Sequence, residues 1–141
     1  MIAPTKLSFM EMRNLMDEFR SLAGKLEAYL EGMMKMEPRS IMDHVPEGPG
    51  VYVFEENGRF LYVGSAVDLN RRLKHDLMGS MGQRRQPHTF GKKLMKRFGD
   101  KEKAKDFLRR CGLRICRTEN EREARVLEQV LIYLLDPEFN D

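Results

Sequence analysis

The chain has 141 residues, enough for one hydrophobic core and therefore one domain with at most an appended element. With 41% hydrophobic and 33% charged residues it reads as a polar globular protein, and no apolar run reaches the length that spans a bilayer. The net charge of +3 conceals an asymmetry: residues 71–117 carry 16 Lys/Arg against 4 Asp/Glu, and residues 118–141 carry 2 against 7. The opening Met1-Ile2-Ala3-Pro4-Thr5-Lys6 lacks the charged-then-apolar build of a signal peptide, so a cytoplasmic chain is expected, nucleoid-associated if prokaryotic.

Residues 9–36 read as one long amphipathic helix. Met12, Leu15, Phe19, Leu22, Leu26, Tyr29 and Met33 alternate in steps of three and four, a heptad-type stripe. Such a stripe is buried either by packing back on the same chain or by pairing with a second copy in a homodimer; its spacing allows both. Pro38 ends the helix. A Pro/Gly-rich approach follows, in which His44 is an exposed loop residue.

Two β-rich runs then flank an Asn57-Gly58 pair: Val51-Tyr52-Val53-Phe54 and Phe60-Leu61-Tyr62-Val63. Asn-Gly between such runs predicts a hairpin. Alternation puts Tyr52 and Phe54 on one face of the first strand, and Phe60 and Tyr62 on one face of the second. The tyrosines become neighbours across the hairpin. Past Gly64 the spacing turns helical, with Leu69, Leu73 and Leu77 four apart and Asp68 in the first turn. Arg72 and Asp76 lie along one edge of that stripe, and Arg71 points to solvent.

Residues 78–86 form a Gly/Arg-rich loop. Two short basic helices follow; the first points Phe90, Leu94 and Phe98 inward and Lys92, Lys93, Lys96 and Arg97 outward. Residues 112–117 predict a third strand with Leu113 and Ile115 buried. Cys111 and Cys116 fall on opposite faces of that strand, which argues for buried free thiols over a disulfide, and two cysteines with three scattered histidines make no zinc set. Thr118, with Glu121 three residues on, predicts the capping box of a last helix. In that helix Ala124, Leu127, Leu131 and Leu135 form the buried stripe, and Glu128 falls inside it. A carboxylate there needs a partner, either a divalent cation or an arginine.

Gly50-Val51-Tyr52 and Tyr62-Val63-Gly64 resemble the two half-motifs of the GIY-YIG nuclease family. The run Gly64, Ser65, Ala66, Asp68, Leu69, Arg71, Arg72 and Leu73 is most similar to the UvrC-type excision nuclease domain. Glu123 to Glu128 and Pro137-Glu138-Phe139-Asn140 resemble the family's late-helix glutamate and its asparagine just beyond a proline. The resemblance covers roughly the last two-thirds of the chain. It implies an α/β (α+β) fold: a small three-stranded, largely antiparallel sheet flanked by helices, to which the N-terminal helix is added. The expected organisation is that helix over residues 1–37 and a nuclease domain over 45–141, with a basic insertion at about 78–110.

The implied activity is metal-dependent endonucleolytic hydrolysis of DNA phosphodiesters, with Mg²⁺ as cofactor (Mn²⁺ substituting) held by Glu128. Arg72 is implied as the phosphate clamp, Tyr52 or Tyr62 as general base with Tyr52 favoured, and Asn140 as a steadying residue. The type departs here at two positions: Ser65 stands where UvrC-type domains have lysine, and Asp76 where they have tyrosine, so the adjacent His75 is a further candidate base. Ser65, Arg71, Lys74, Arg84, Arg85, Lys92, Lys93, Lys96 and Arg97 are the expected DNA-binding residues. The same two departures support an alternative, a catalytically inactive DNA-binding module on this scaffold.

Overall fold

A computed structural model describes residues 8–141. The expectations resting on residues 1–7 lie outside them. Along the chain come α1 (Phe9–Lys35), β1 (Gly50–Glu56), β2 (Arg59–Ala66), α2 (Arg71–Gly79), α3 (Thr89–Phe98), α4 (Lys101–Arg110), β3 (Gly112–Arg117) and α5 (Glu121–Leu135). The three strands form one antiparallel sheet in the order β2-β1-β3. The central strand is covered on both faces, which explains its unbroken apolar run. Val51 and Val53 pack with Val63, Ala124, Leu127, Leu131 and Met33 on one side. Tyr52 and Phe54 pack on the other with Leu69, Leu73, Leu77, Phe90 and Leu108.

Phe60 and Tyr62 do not share a face as strict alternation predicts. The register slips after Phe54, so that Glu55 pairs with Phe60 and Leu61 is the extra residue of a β-bulge. Leu61 and Tyr62 both enter the Tyr52 side of the core, and Phe60 turns to the α5 side.

The four-residue leucine spacing belongs to an unusual element. α2 is π-helical over nine residues, with i→i+5 hydrogen bonds, and Leu73 and Leu77 form its buried edge. Asp68 precedes it and accepts from the Gly48 amide at 3.2 Å, tying the approach loop to the helix rather than serving its dipole. The last helix is capped by Asn120, whose side chain accepts from the Glu123 amide at 2.9 Å. Thr118 lies outside the helix and donates its hydroxyl to the Asn120 carbonyl, so the cap falls two residues later than the sequence suggests, and Glu123 meets the Asn120 side-chain amide rather than its backbone N–H. Cys111 ends α4 instead of lying on β3.

Only the C-terminal part of α1 packs on its own chain. Met33 is buried, and Leu26, Tyr29 and Leu30 lie against the α5 side of the core. Arg114 on β3 donates to the carbonyls of Met33, Met34 and Met36, three of the groups that a helix end leaves unpaired, and pairs with Glu55. Lys25 pairs with Glu119 and Glu123, and the Tyr29 hydroxyl donates to Glu123 at 2.7 Å. Met12, Leu15 and Phe19 remain exposed.

Candidate active site

Tyr52 on β1 stands opposite Gly64 on β2, and Tyr62 stands opposite Phe54, which sets the two tyrosines diagonally across the hairpin with ring centroids 6.3 Å apart. The glycines of both half-motifs are required by close approach. A Cβ on Gly64 would lie 2.3 Å from the Tyr52 hydroxyl, and one on Gly50 would lie 2.3 Å from the Cys116 carbonyl oxygen. Tyr62 stacks on Phe90 at 4.8 Å with the rings 2° from parallel, which fixes its plane.

Around these rings the structure gathers Arg72 from α2 and Glu128 from α5. Arg72 is half-buried and lies 3.4 Å from Asp76. Burial pushes the Glu128 carboxyl above the usual range, while hydrogen bonds from Ser65, then Gln129 and the Arg72 charge, pull the other way. Burial, then the Glu128 charge, raises the Tyr62 phenol; Arg72 opposes them. Tyr52 is raised further, by near-complete burial and by Tyr62. The mutual influence of Tyr52, Tyr62, Arg72 and Glu128 marks one electrostatic cluster. It adjoins an open groove of about 470 Å³ lined by Ser65, Arg71, Arg72, Asp76, Glu121 and Arg125 among others.

Among the described residues no group of three or more His, Cys, Asp or Glu gathers to hold a metal. A lone half-buried carboxylate fits a hard cation that keeps most of its waters, as Mg²⁺ does, and does not fit a zinc cage.

Asn140 pairs with the outer edge of β2. Its amide accepts from the Val63 amide at 2.7 Å and donates to the Val63 carbonyl at 2.8 Å, and the Phe139 amide bonds the Leu61 carbonyl. The C-terminal segment thus closes the strand edge beside Tyr62. His75 is exposed and does not join the cluster.

A residue the sequence reading passes over does join it. His88 is fully buried, with Nε2 2.5 Å from the Tyr52 hydroxyl and its ring 5.5 Å from that of Tyr62. In the sequence it is legible only as the residue ahead of α3. Nothing local tells that its far nitrogen reaches a strand 36 residues back.

A family model described as a UvrC-like GIY-YIG domain matches residues 48–141. The chain belongs to this family. It is 33% identical over 104 residues to the UvrABC system protein C of Petrotoga mobilis, and 29% identical over 100 residues to that of Fervidobacterium nodosum. The matches cover 72% and 71% of this chain but 15% and 14% of those proteins, so the chain spans about one-seventh of their length. The GIY-YIG N-terminal endonuclease domain of UvrC from Thermotoga maritima, solved bound to magnesium as its catalytic divalent cation, is 31% identical; the match covers 68% of this chain and 86% of that one, with a TM-score of 0.47.

Within this UvrC-like GIY-YIG domain the basic residues divide into two groups. Arg71, Arg84, Arg85, Lys92 and Lys96 are exposed. Others pair within the chain, Arg97 among them although it too is exposed. Lys74 donates to the carbonyls of Ile41 and Asp43, so its ammonium holds the loop before β1. Lys93 donates to the Phe139 carbonyl at 2.7 Å and pairs with Asp141, and Arg97 pairs with Glu138 and lies 4.8 Å over the Phe139 ring. Both brace the C-terminal segment against α3. Ser65 faces Glu128.

Proposed function

We propose that the domain is a divalent-metal-dependent endonuclease that hydrolyses DNA phosphodiesters. The observation that carries this reading is the convergence of one guanidinium, one half-buried carboxylate and two phenols beside an open groove. Glu128 is the metal ligand, and Mg²⁺ or Mn²⁺ bound there supplies Lewis-acid stabilisation of the phosphoryl oxygen and leaving group. Arg72 grips the phosphate, where a planar fork of donors outperforms a lysine point charge. Tyr62 orients the attacking water and takes its proton; burial and the Glu128 charge raise its phenol, so Arg72 and a cation neutralising Glu128 must together favour the phenolate. The resemblance implies Tyr52 or Tyr62 for that step, with Tyr52 favoured. Tyr52 is 1% exposed and its hydroxyl is already engaged by His88, so Tyr62, at 9%, is the better base. Exposed Arg71, Arg84, Arg85, Lys92 and Lys96 would follow the DNA backbone without reading sequence.

Pairing of two copies through the exposed part of α1 is a separate proposal, read by sedimentation: a strict monomer at high concentration rejects it.

Nicking of supercoiled plasmid with Mg²⁺ or Mn²⁺, comparing the native chain with Glu128→Ala, tests the main reading. Metal-dependent nicking that disappears in the variant supports it. Salt-dependent DNA binding by both chains without cutting by either replaces it with the inactive DNA-binding module.

A further inference from the structure

Between α2 and α3 the chain is solvated and basic: residues 82–85, Pro87 and Thr89 are exposed, yet Gln86 is 5% exposed and His88 fully buried. Two buried polar side chains in an exposed stretch need a reason, because burial of a polar group costs free energy unless each partner is found. Every partner is present. Gln86 donates from Nε2 to the Leu77 carbonyl at the end of α2 at 3.2 Å, and its Oε1 accepts from the His88 amide at 2.8 Å. His88 Nδ1 accepts from the Phe90 amide at 3.1 Å, capping α3, and Nε2 meets the Tyr52 hydroxyl.

This arrangement fixes the tautomer. A backbone N–H can only donate, so Nδ1 must present its lone pair, and a neutral ring then carries its proton on Nε2. Burial, and secondarily the Arg72 charge, hold the imidazole neutral by lowering it to about 3. Nε2–H therefore donates to the phenol oxygen, and the phenol cannot spend its own proton on His88.

We propose that His88 is a positioning residue for Tyr52: it donates to the phenol oxygen, locks the ring beside Gly64, and leaves the phenol's proton directed to the reacting centre as a hydrogen-bond donor. The proposal rests on the endonuclease reading for what Tyr52 donates to, though not for the tautomer. It also gives the segment before α3 a role: Gln86 and His88 link α2, which bears Arg72, to the strand that bears Tyr52.

Two measurements test this. In the native chain, ¹⁵N-edited NMR of the imidazole should find a slowly exchanging proton on Nε2 of His88 and none on Nδ1. A proton on Nδ1 overturns the proposal whether or not the protein cuts DNA. In the nicking assay, His88→Asn keeps a side chain suited to capping α3 but loses the reach to Tyr52. It should melt near the native temperature and cut about 10²-fold more slowly, with the loss in kcat rather than KM. His88→Gln, whose amide can supply the distal donor, should recover much of that rate. In a Tyr52→Phe background His88→Asn should cost nothing further. Multiplying losses in the double variant, or an undiminished rate in His88→Asn, would overturn it. Failure of the native chain to cut at all would count against the endonuclease reading and leave the tautomer to the NMR result.

Discussion

Tyr52 and Gly64 face each other in the β1–β2 ladder, and the tyrosine hydroxyl occupies the space that a side chain at the glycine would need. Gly64→Ala should therefore displace the Tyr52 ring, break its hydrogen bond to His88 and cost about 1–3 kcal/mol of stability. Gly58→Ala makes the contrast: no atom lies within 4 Å of its added Cβ, and the penalty arises only from its φ of +80°. Nicking should fall sharply in the first variant and little in the second. Equal activities in the two would break the link between Gly64 and the tyrosine.

Glu128 is half-buried and its carboxyl is raised by that burial, so its charge weakens the metal-free fold at neutral pH. Glu128→Gln should melt at or above the native temperature without metal and lose nicking. Millimolar Mg²⁺ should raise the native melting temperature by mass action and leave the variant unmoved. A magnesium shift that survives the substitution would place the metal elsewhere.

His88 is held neutral down to about pH 3, against an ordinary value of ~6.5. Between those values the unfolded chain binds a proton that the folded chain refuses. Stability therefore falls as pH drops through that window, at up to about 1.4 kcal/mol per pH unit, and this term is constant above it and below it. Glu128 works in the opposite sense, but it is shared by the native chain and His88→Asn and cancels between them. Urea unfolding at pH 7 and pH 5 should show the native chain losing more stability than His88→Asn. A difference independent of pH would mean that His88 is not held neutral.

Asn140 satisfies both backbone groups of Val63 on the open edge of the sheet. Asn140→Ala should cost about 1–3 kcal/mol and speed amide exchange at Val63 and Phe139, since the side chain, together with Lys93 and Arg97, fastens that segment to the edge of β2. The loss in nicking should follow the loss of folded protein. A large drop in kcat at unchanged stability would instead give Asn140 a direct part in the chemistry.

What the sequence made legible was what repeats locally. The Asn57-Gly58 turn, the alternation of β1, the Leu69, Leu73 and Leu77 edge, and Glu128 within an apolar stripe each follow from neighbours a few residues away. The bulge at Leu61 was hidden because an extra residue in a ladder leaves no mark on composition, and it reversed the expected face of Phe60. Thr118 and Asn120 both suit a helix cap, and the Asn120-to-Glu123 bond decides between them only once the helix start is seen. Lys74 looked free because charge is legible in a sequence and the carbonyls of Ile41 and Asp43 are not. His88 was hidden for the same reason, since its partner comes from tertiary packing.

The fastening of α1 by Arg114 at one end and by Lys25 and Tyr29 nearer its middle makes that helix a cantilever. Amide exchange should be graded along it, slowest near Met33 and approaching that of an isolated helix near Met12. Torque applied to its outer turns would be delivered by two routes, through the Arg114 guanidinium to β3 and to Glu55 on the central strand, and through Lys25 and Tyr29 to Glu123 on α5, the helix that carries Glu128.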